Sequence, residues 1–175
     1  EVRRREVLAL AAGTVVSGCG YSLQGRGITT DSSVKRIGVP LFKDRSGKLG
    51  LDTRVTQAVM EELLKRGRFT VVRESTNVDA VVEGDILSWT VALVNFSSDT
   101  GTTQATRYAI SLTASVVYRK IGQKEPIWAN DAFSQRDEYD MGENAQNYFD
   151  REMLSIERLS AAFARNLVAA MLEAF

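Results

Sequence analysis

Arg107-Tyr108-Ala109-Ile110-Ser111-Leu112-Thr113-Ala114-Ser115-Val116-Val117-Tyr118-Arg119 alternates apolar and polar residues almost without a break. Tyr108, Ile110, Leu112, Ala114, Val116 and Tyr118 share one parity, and Arg107, Ser111, Thr113, Ser115 and Arg119 share the other. Successive side chains of a strand point to opposite faces, so this pattern predicts a strand whose sheet is dry on one face and wet on the other. Such a sheet needs helices to cover its dry side.

The flanking segments fit that frame. Ser97 to Thr106 is polar, contains Gly101 and predicts a hairpin loop. Before it, Ala80 to about Phe96 predicts a long strand with a change of phase: Ala80, Val82, Gly84 and Ile86 share one parity, whereas Leu87, Trp89, Val91 and Leu93 share the other. A phase change in a period-two pattern requires an extra residue, so a bulge or strong bend is expected near Ile86 to Ser88. After a turn at Ile121 to Pro126, a last strand is expected from Ile127 to about Tyr139.

Further upstream, Val34 to Phe42 predicts a first strand, with Pro40 near its end where a missing amide hydrogen matters least. A polar turn from Lys43 to Gly50 leads to a helix over Leu51 to Arg66, in which Leu51, Val55, Val59 and Leu63 recur every four residues. Asp52 and Thr53 are candidate capping oxygens at its start, and Gly67 a left-handed stop. Phe69 to Arg73 predicts a short strand, and Ser75 to Asp79 a turn.

At the other end, an acidic turn from Asp140 to Asn147 precedes a helix from about Tyr148 to Phe175. Its stripe is Phe149, Met153, Ile156, Leu159, Phe163, Leu167, Ala170 and Met171. At 1.5 Å per residue this helix is roughly 40 Å long, enough to cross the sheet. The expected fold is α+β: a single domain with a mixed, roughly four-stranded sheet and two helices packed on one face, in β-α-β-β-β-α order. Trp89 and Trp128 are expected to pack in the core or on the sheet, given the area an indole buries.

The first residues have a different character. Arg3, Arg4 and Arg5 form a positive head, Val7 to Val16 is apolar, and Val16-Ser17-Gly18-Cys19 follows. A transmembrane helix needs about 20 apolar residues, more than this run supplies. The build is that of a secretory signal ending in a bacterial lipobox. The thiolate of Cys19 is the nucleophile that receives the lipid, and small Ser17 and Gly18 give a peptidase access to the bond before it. Residues 1–18 are therefore expected to be a removed lipoprotein signal peptide, 19–33 a lipidated tether, and 34–175 an α/β sandwich domain.

Composition narrows the function. The 22 basic and 22 acidic residues cancel, and residues 19–175 carry a net charge of minus one, which gives no footprint for nucleic acid. There is no histidine, the commonest general base and metal ligand, and the single cysteine leaves no internal disulfide. No carboxylate pair or lysine-activated nucleophile forms a motif, so no catalytic residue, cofactor or metal site is expected, and the chain is not read as an enzyme. Gly25-Arg26-Gly27 lacks the strand before and the helix after that a phosphate loop requires. Asn95-Phe96-Ser97 matches a glycosylation sequon, to which a bacterial lipoprotein gives no weight.

Cys19-Gly20-Tyr21-Ser22-Leu23, Ile37-Gly38-Val39-Pro40-Leu41-Phe42, Arg45-Ser46-Gly47, Gly67-Arg68-Phe69, Asp79-Ala80-Val81-Val82-Glu83-Gly84, Arg107-Tyr108 and Trp128, in that order, resemble the LptE family of lipopolysaccharide-assembly lipoproteins. The resemblance spans the chain from Cys19. It implies a four-stranded sheet with two helices on one side, and a lipoprotein anchored in the outer membrane at its periplasmic face through Cys19. Its implied partners are an LptD-type outer-membrane β-barrel and lipopolysaccharide, which it helps insert into the outer leaflet. Gly20 fits an outer-membrane destination, since an aspartate there favours the inner membrane. Family members can carry basic residues in the hairpin loop against lipopolysaccharide phosphates, and Ser97 to Thr106 has none. Arg107, at its base, and Lys120, with Lys124 at the next turn, are the candidate contacts. Ile37 to Gly84 is also similar to lipoproteins of the CsgG and TolB amino-domain type, which would make the chain an oligomeric secretion or envelope-assembly subunit. There is no long apolar alternating segment suited to a pore hairpin.

Overall fold

In a computed structural model of the protein, the alternating segment lies in a strand with neighbours on both sides. The structure describes residues 33–66, 68–99, 102–140 and 148–173. Strands β1 (Arg36–Gly38) and β2 (Lys43–Asp44) precede helix α1 (Leu51–Lys65), and β3 (Thr70–Val72) follows it. The long strands β4 (Ala80–Asp99), β5 (Thr102–Lys120) and β6 (Trp128–Asp140) form an antiparallel meander, and helix α2 (Tyr148–Glu173) comes last. The sheet runs β3-β1-β4-β5-β6, with β2 beside β4, and the β1, β2 and β3 pairings are all parallel.

Period two survives in β5. Ile110, Leu112, Ala114 and Val116 are fully buried, whereas Ser111, Thr113, Ser115 and Arg119 on the other face keep contact with solvent. The helices cover the dry face. Leu51, Val55, Val59 and Leu63 of α1 and Leu159, Phe163, Leu167 and Met171 of α2 join the sheet residues in one core. Burying each such side chain contributes roughly 1.5–3 kcal/mol. An edge-to-face chain runs from Trp128 to Phe133 (6.1 Å) and on to Phe163 (5.3 Å), so Trp128 packs at the margin of the core, as does half-buried Trp89. Lys48, in the turn before α1, meets Glu152 of α2 at 2.8 Å, and between the helices Arg54 meets Glu157 at 3.5 Å.

The expected bulge is present. Ile86 opposes Ala114 and Ser88 opposes Thr113, so Leu87 is the extra residue. By absorbing the phase change it keeps Ile86 and, after it, Trp89 opposite the dry-face residues Ala114 and Leu112.

Other expectations need correction. The sheet has six strands rather than roughly four: the five segments expected as strands all pair, the first only over Arg36–Gly38, and Lys43–Asp44, expected in a polar turn, adds β2. Pro40 has no N–H to donate, and the Phe42 amide donates to Thr56 Oγ1 of α1 at 3.0 Å, so the chain leaves the ladder between β1 and β2. Ser97 to Thr106 is not simply a loop: Asn95 pairs with Arg107, Ser97 with Gln104 and Asp99 with Thr102. A ladder uses backbone groups only, and the threonines there suit a pleated strand. Asp52 and Thr53 do not cap α1. The N-cap is Gly50 at φ 76°, a left-handed conformation that glycine adopts without strain, with no side-chain cap bond; Asp52 sits in the first turn, where a negative charge favours the helix dipole. The expected stop at Gly67 lies outside the described residues. In α2, Met153 of the expected stripe is half exposed, and the buried run begins at Ser155 and Ile156.

Gly84 occupies a site where a Cβ would overlap the ring of fully buried Phe42. Gly84→Ala should therefore lower the unfolding free energy by about 1–3 kcal/mol through overpacking. Phe163→Ala, which empties the centre of the core, should lower it by roughly 3–5 kcal/mol. Urea unfolding with an unchanged slope is the check on both.

Candidate functional site

The face left uncovered by the helices carries charge in compensated groups. Arg119 Nη2 lies 3.1 Å from Glu83 across the β4-β5 pair, and Arg45 is paired with Asp85. Below them, Pro40, Leu41, Lys43, Glu83, Asp85 and Ser115 line a shallow hollow of about 370 Å³. Thr113 Oγ1 bonds Ser134 Oγ at 3.2 Å further along. The face is polar throughout its middle, and among the described residues no group of His, Cys, Asp or Glu could hold a metal ion. No described helix is long and apolar enough to cross a membrane.

Arg107 lies toward the hairpin end of this face. In the ladder it opposes Asp140 and Asn95, and its Nη1 lies 3.8 Å from Glu138 Oε2. Glu138 Oε1 also accepts a hydrogen bond from Arg136 Nη2 at 2.9 Å. Two guanidiniums therefore share one carboxylate on the exposed surface of β5 and β6. Arg136 was not singled out by sequence reasoning. Its signal is its parity with Glu138 on β6, but only the β5-β6 register brings either beside Arg107.

Lys120 is elsewhere. It is thirteen residues along β5 from Arg107, an odd separation that puts the two on opposite faces, and at about 3.3 Å per residue they are on the order of 40 Å apart. They cannot grip one phosphate group together. Lys120 Nζ instead bonds Ser33 Oγ at 2.7 Å, beside a clasp built on Asp79. One oxygen of Asp79 accepts the backbone N–H groups of both Lys35 and Arg36 at 2.8 Å. Its own N–H donates to the Arg36 carbonyl, and its carbonyl accepts from Ile121 N–H, both at 2.9 Å. The backbone bonds from Arg36 and Lys35 hold the Asp79 carboxyl below the ordinary aspartate range, with the Lys35 and Lys120 charges adding to the effect. Lys124 is exposed in the turn after Lys120, and Cys19 lies outside the described residues.

The model of the LptE family, described as lipopolysaccharide-assembly, matches residues 34–171. No curated protein sequence matches the chain. Among solved structures, a Xanthomonas campestris protein superposes with a TM-score of 0.53 at 9% identity, covering 81% of this chain and 85% of its own. A Chlamydia trachomatis protein gives 0.51 at 11% identity, covering 79% and 98%. A Caulobacter crescentus protein described as a lipoprotein gives 0.50 at 8%, covering 77% and 87%. At such identities these likenesses concern the fold alone.

The Asp79 clasp makes acid stability testable. Its folded carboxyl titrates below its unfolded value, so its contribution is fully present above the ordinary aspartate range and is lost as pH falls through that range and then through the lowered folded value. Urea midpoints measured from neutral to acidic pH should fall more steeply for the wild type than for Asp79→Asn. Parallel curves would remove the carboxylate from the clasp.

Proposed function

The chain belongs to the LptE family of lipopolysaccharide-assembly proteins, and from that membership we propose that it is the lipid-anchored partner of an LptD-type outer-membrane β-barrel. In this role it stands at the periplasmic face of the outer membrane and assists both assembly of the barrel and insertion of lipopolysaccharide into the outer leaflet. The observation that carries the reading is the family match itself, which extends from just before β1 almost to the end of α2. It is a family of assembly lipoproteins rather than of enzymes.

Two physical features support it. The wet sheet face, with its serines, threonines and paired charges, suits the polar interior of a barrel. A single acyl chain holds a protein to a membrane only marginally, with a constant of about 10⁴ M⁻¹, so stable anchoring calls for more than one chain on Cys19. Lipopolysaccharide phosphates would find their first cations at Arg107 and Arg136, which share Glu138. Bidentate guanidinium pairing is well matched to phosphate oxygens.

Affinity purification of the tagged, lipidated protein from detergent-solubilised outer membrane should bring one large barrel at a one-to-one ratio. A ring of identical copies with no barrel would replace this reading with the oligomeric secretion-subunit one. Cys19→Ser should move the protein from the membrane to the soluble fraction and abolish incorporation of labelled fatty acid. In a lipopolysaccharide-binding assay, Arg107→Ala should weaken binding and Lys120→Ala should not; equal retention by both variants would clear Arg107.

A further inference from the structure

The two long free edges of the sheet are built differently. β6 pairs only with β5, so its outer edge is open along its length among the described residues. That edge is defended: it carries Asp131, Arg136, Asp137 and Glu138, and it bulges where Asn130 opposes Val116 and Phe133 opposes Ala114. Asn130 Oδ1 accepts the Ala132 amide at 2.9 Å within that bulge, so the local ladder is turned in on itself. Charges and bulges are the usual means of keeping a foreign strand from pairing.

β4 carries no such charges over the same stretch, although it bulges at Leu87 and again at Val94. Its parallel partners stop at Ile86, and from Ser88 onward β5 is its only neighbour among the described residues. From Ile86 to Ser98 there is no charged residue, glycine or proline. Apart from Thr90, the exposed residues along it as far as Val94 are apolar, among them Leu87 at 37%, Val91 at 41%, Leu93 at 47% and Val94 at 41%. The inner face tells the same story. Val91 opposes fully buried Ile110 in the ladder, yet is itself two-fifths exposed, so the helical layer covers β5 and leaves β4 beside it half open.

We infer that the outer edge of β4, from Ser88 through Leu93 between its two bulges, is a docking edge that takes an uncharged extended segment of the barrel partner as an additional strand. The chemistry of the edge selects that occupant. Unpaired backbone donors and acceptors are satisfied by another extended backbone, whereas a helix has its own used internally and an acyl chain has none. An edge without charge makes no ion pair, so a charged strand would lose solvation there without compensation. Strands within a closed barrel have no free edge, so the segment comes from a part of the partner outside the barrel ladder. This inference rests on the barrel reading above and adds the contact through which it operates.

The test is photo-crosslinking in intact cells, with benzoylphenylalanine placed at Val91, at Leu93 and, on the defended edge, at Asp131. Co-purification of the barrel with the wild-type protein is scored in parallel. Crosslinks to the barrel from 91 and 93 but not from 131 are expected. In addition, Val91→Lys and Leu93→Lys, both at partly exposed positions, should reduce the co-purified barrel at least about tenfold while Asp131→Lys does not. Urea midpoints confirm that the variants are folded. Crosslinks to a second copy of the chain would overturn the proposal in favour of self-pairing. Absence of crosslinks from 91 and 93 while the wild type still brings down the barrel would overturn the edge and leave the barrel reading standing. A wild type that brings down no barrel would sink both.

Discussion

The structure depends on one constraint: a sheet with one dry face must keep its register, because a slip of one residue turns every side chain to the wrong side. β5 sets that register for its neighbours on both sides, with Ile110, Leu112, Ala114 and Val116 fixed under the helices. β4 follows it only by setting residues aside. Leu87 is the first, at the cost of a part-exposed leucine and a locally broken ladder, and Val94 is the second. The same single-sidedness gives the other face its character. With no helix over it, it keeps serines, threonines and compensated ion pairs, each worth little to stability in water but together defining a wet surface.

How much of this was legible follows from where each feature is encoded. The strands β5 and β6, the bulge in β4 and the buried stripes of both helices lie in local periodicity, and a period can be read along the chain. The break between β1 and β2 could not be, because the Phe42 amide finds its partner in Thr56, on a helix not yet formed when the strand is read. The continuation of the ladder past Ser97 was hidden by composition: polar residues suggested a loop where backbone pairing alone suffices. At the candidate site, Arg107 was visible and Arg136 was not, since only the β5-β6 register joins them at Glu138. Asp79 looked like a turn residue, and its role as acceptor for two backbone amides of a distant strand appears only in three dimensions.

The clasp and the cluster divide the molecule's charged groups by task. At the Ser33 end, Asp79 and Lys120 tie together Ser33, β1, the start of β4 and the turn after β5. Toward the hairpin end, Arg107 and Arg136 meet at the carboxylate of Glu138 on the exposed surface. That separation explains why residues of similar type on one strand support different readings: the first group holds backbone segments together, and the second pairs side chain to side chain on the exposed surface.

The contact between Phe42 and Gly84 has a consequence for how sequences of this kind can change over time. The ring fills the space that a side chain at position 84 would need, so the two positions form a single unit of volume shared between β4 and the segment before β2. Neither can drift alone without a cavity or a clash. In a lineage descended from this chain, enlargement at position 84 would be retained chiefly alongside a smaller residue at position 42. The pair should thus vary together while the open-face serines nearby vary independently.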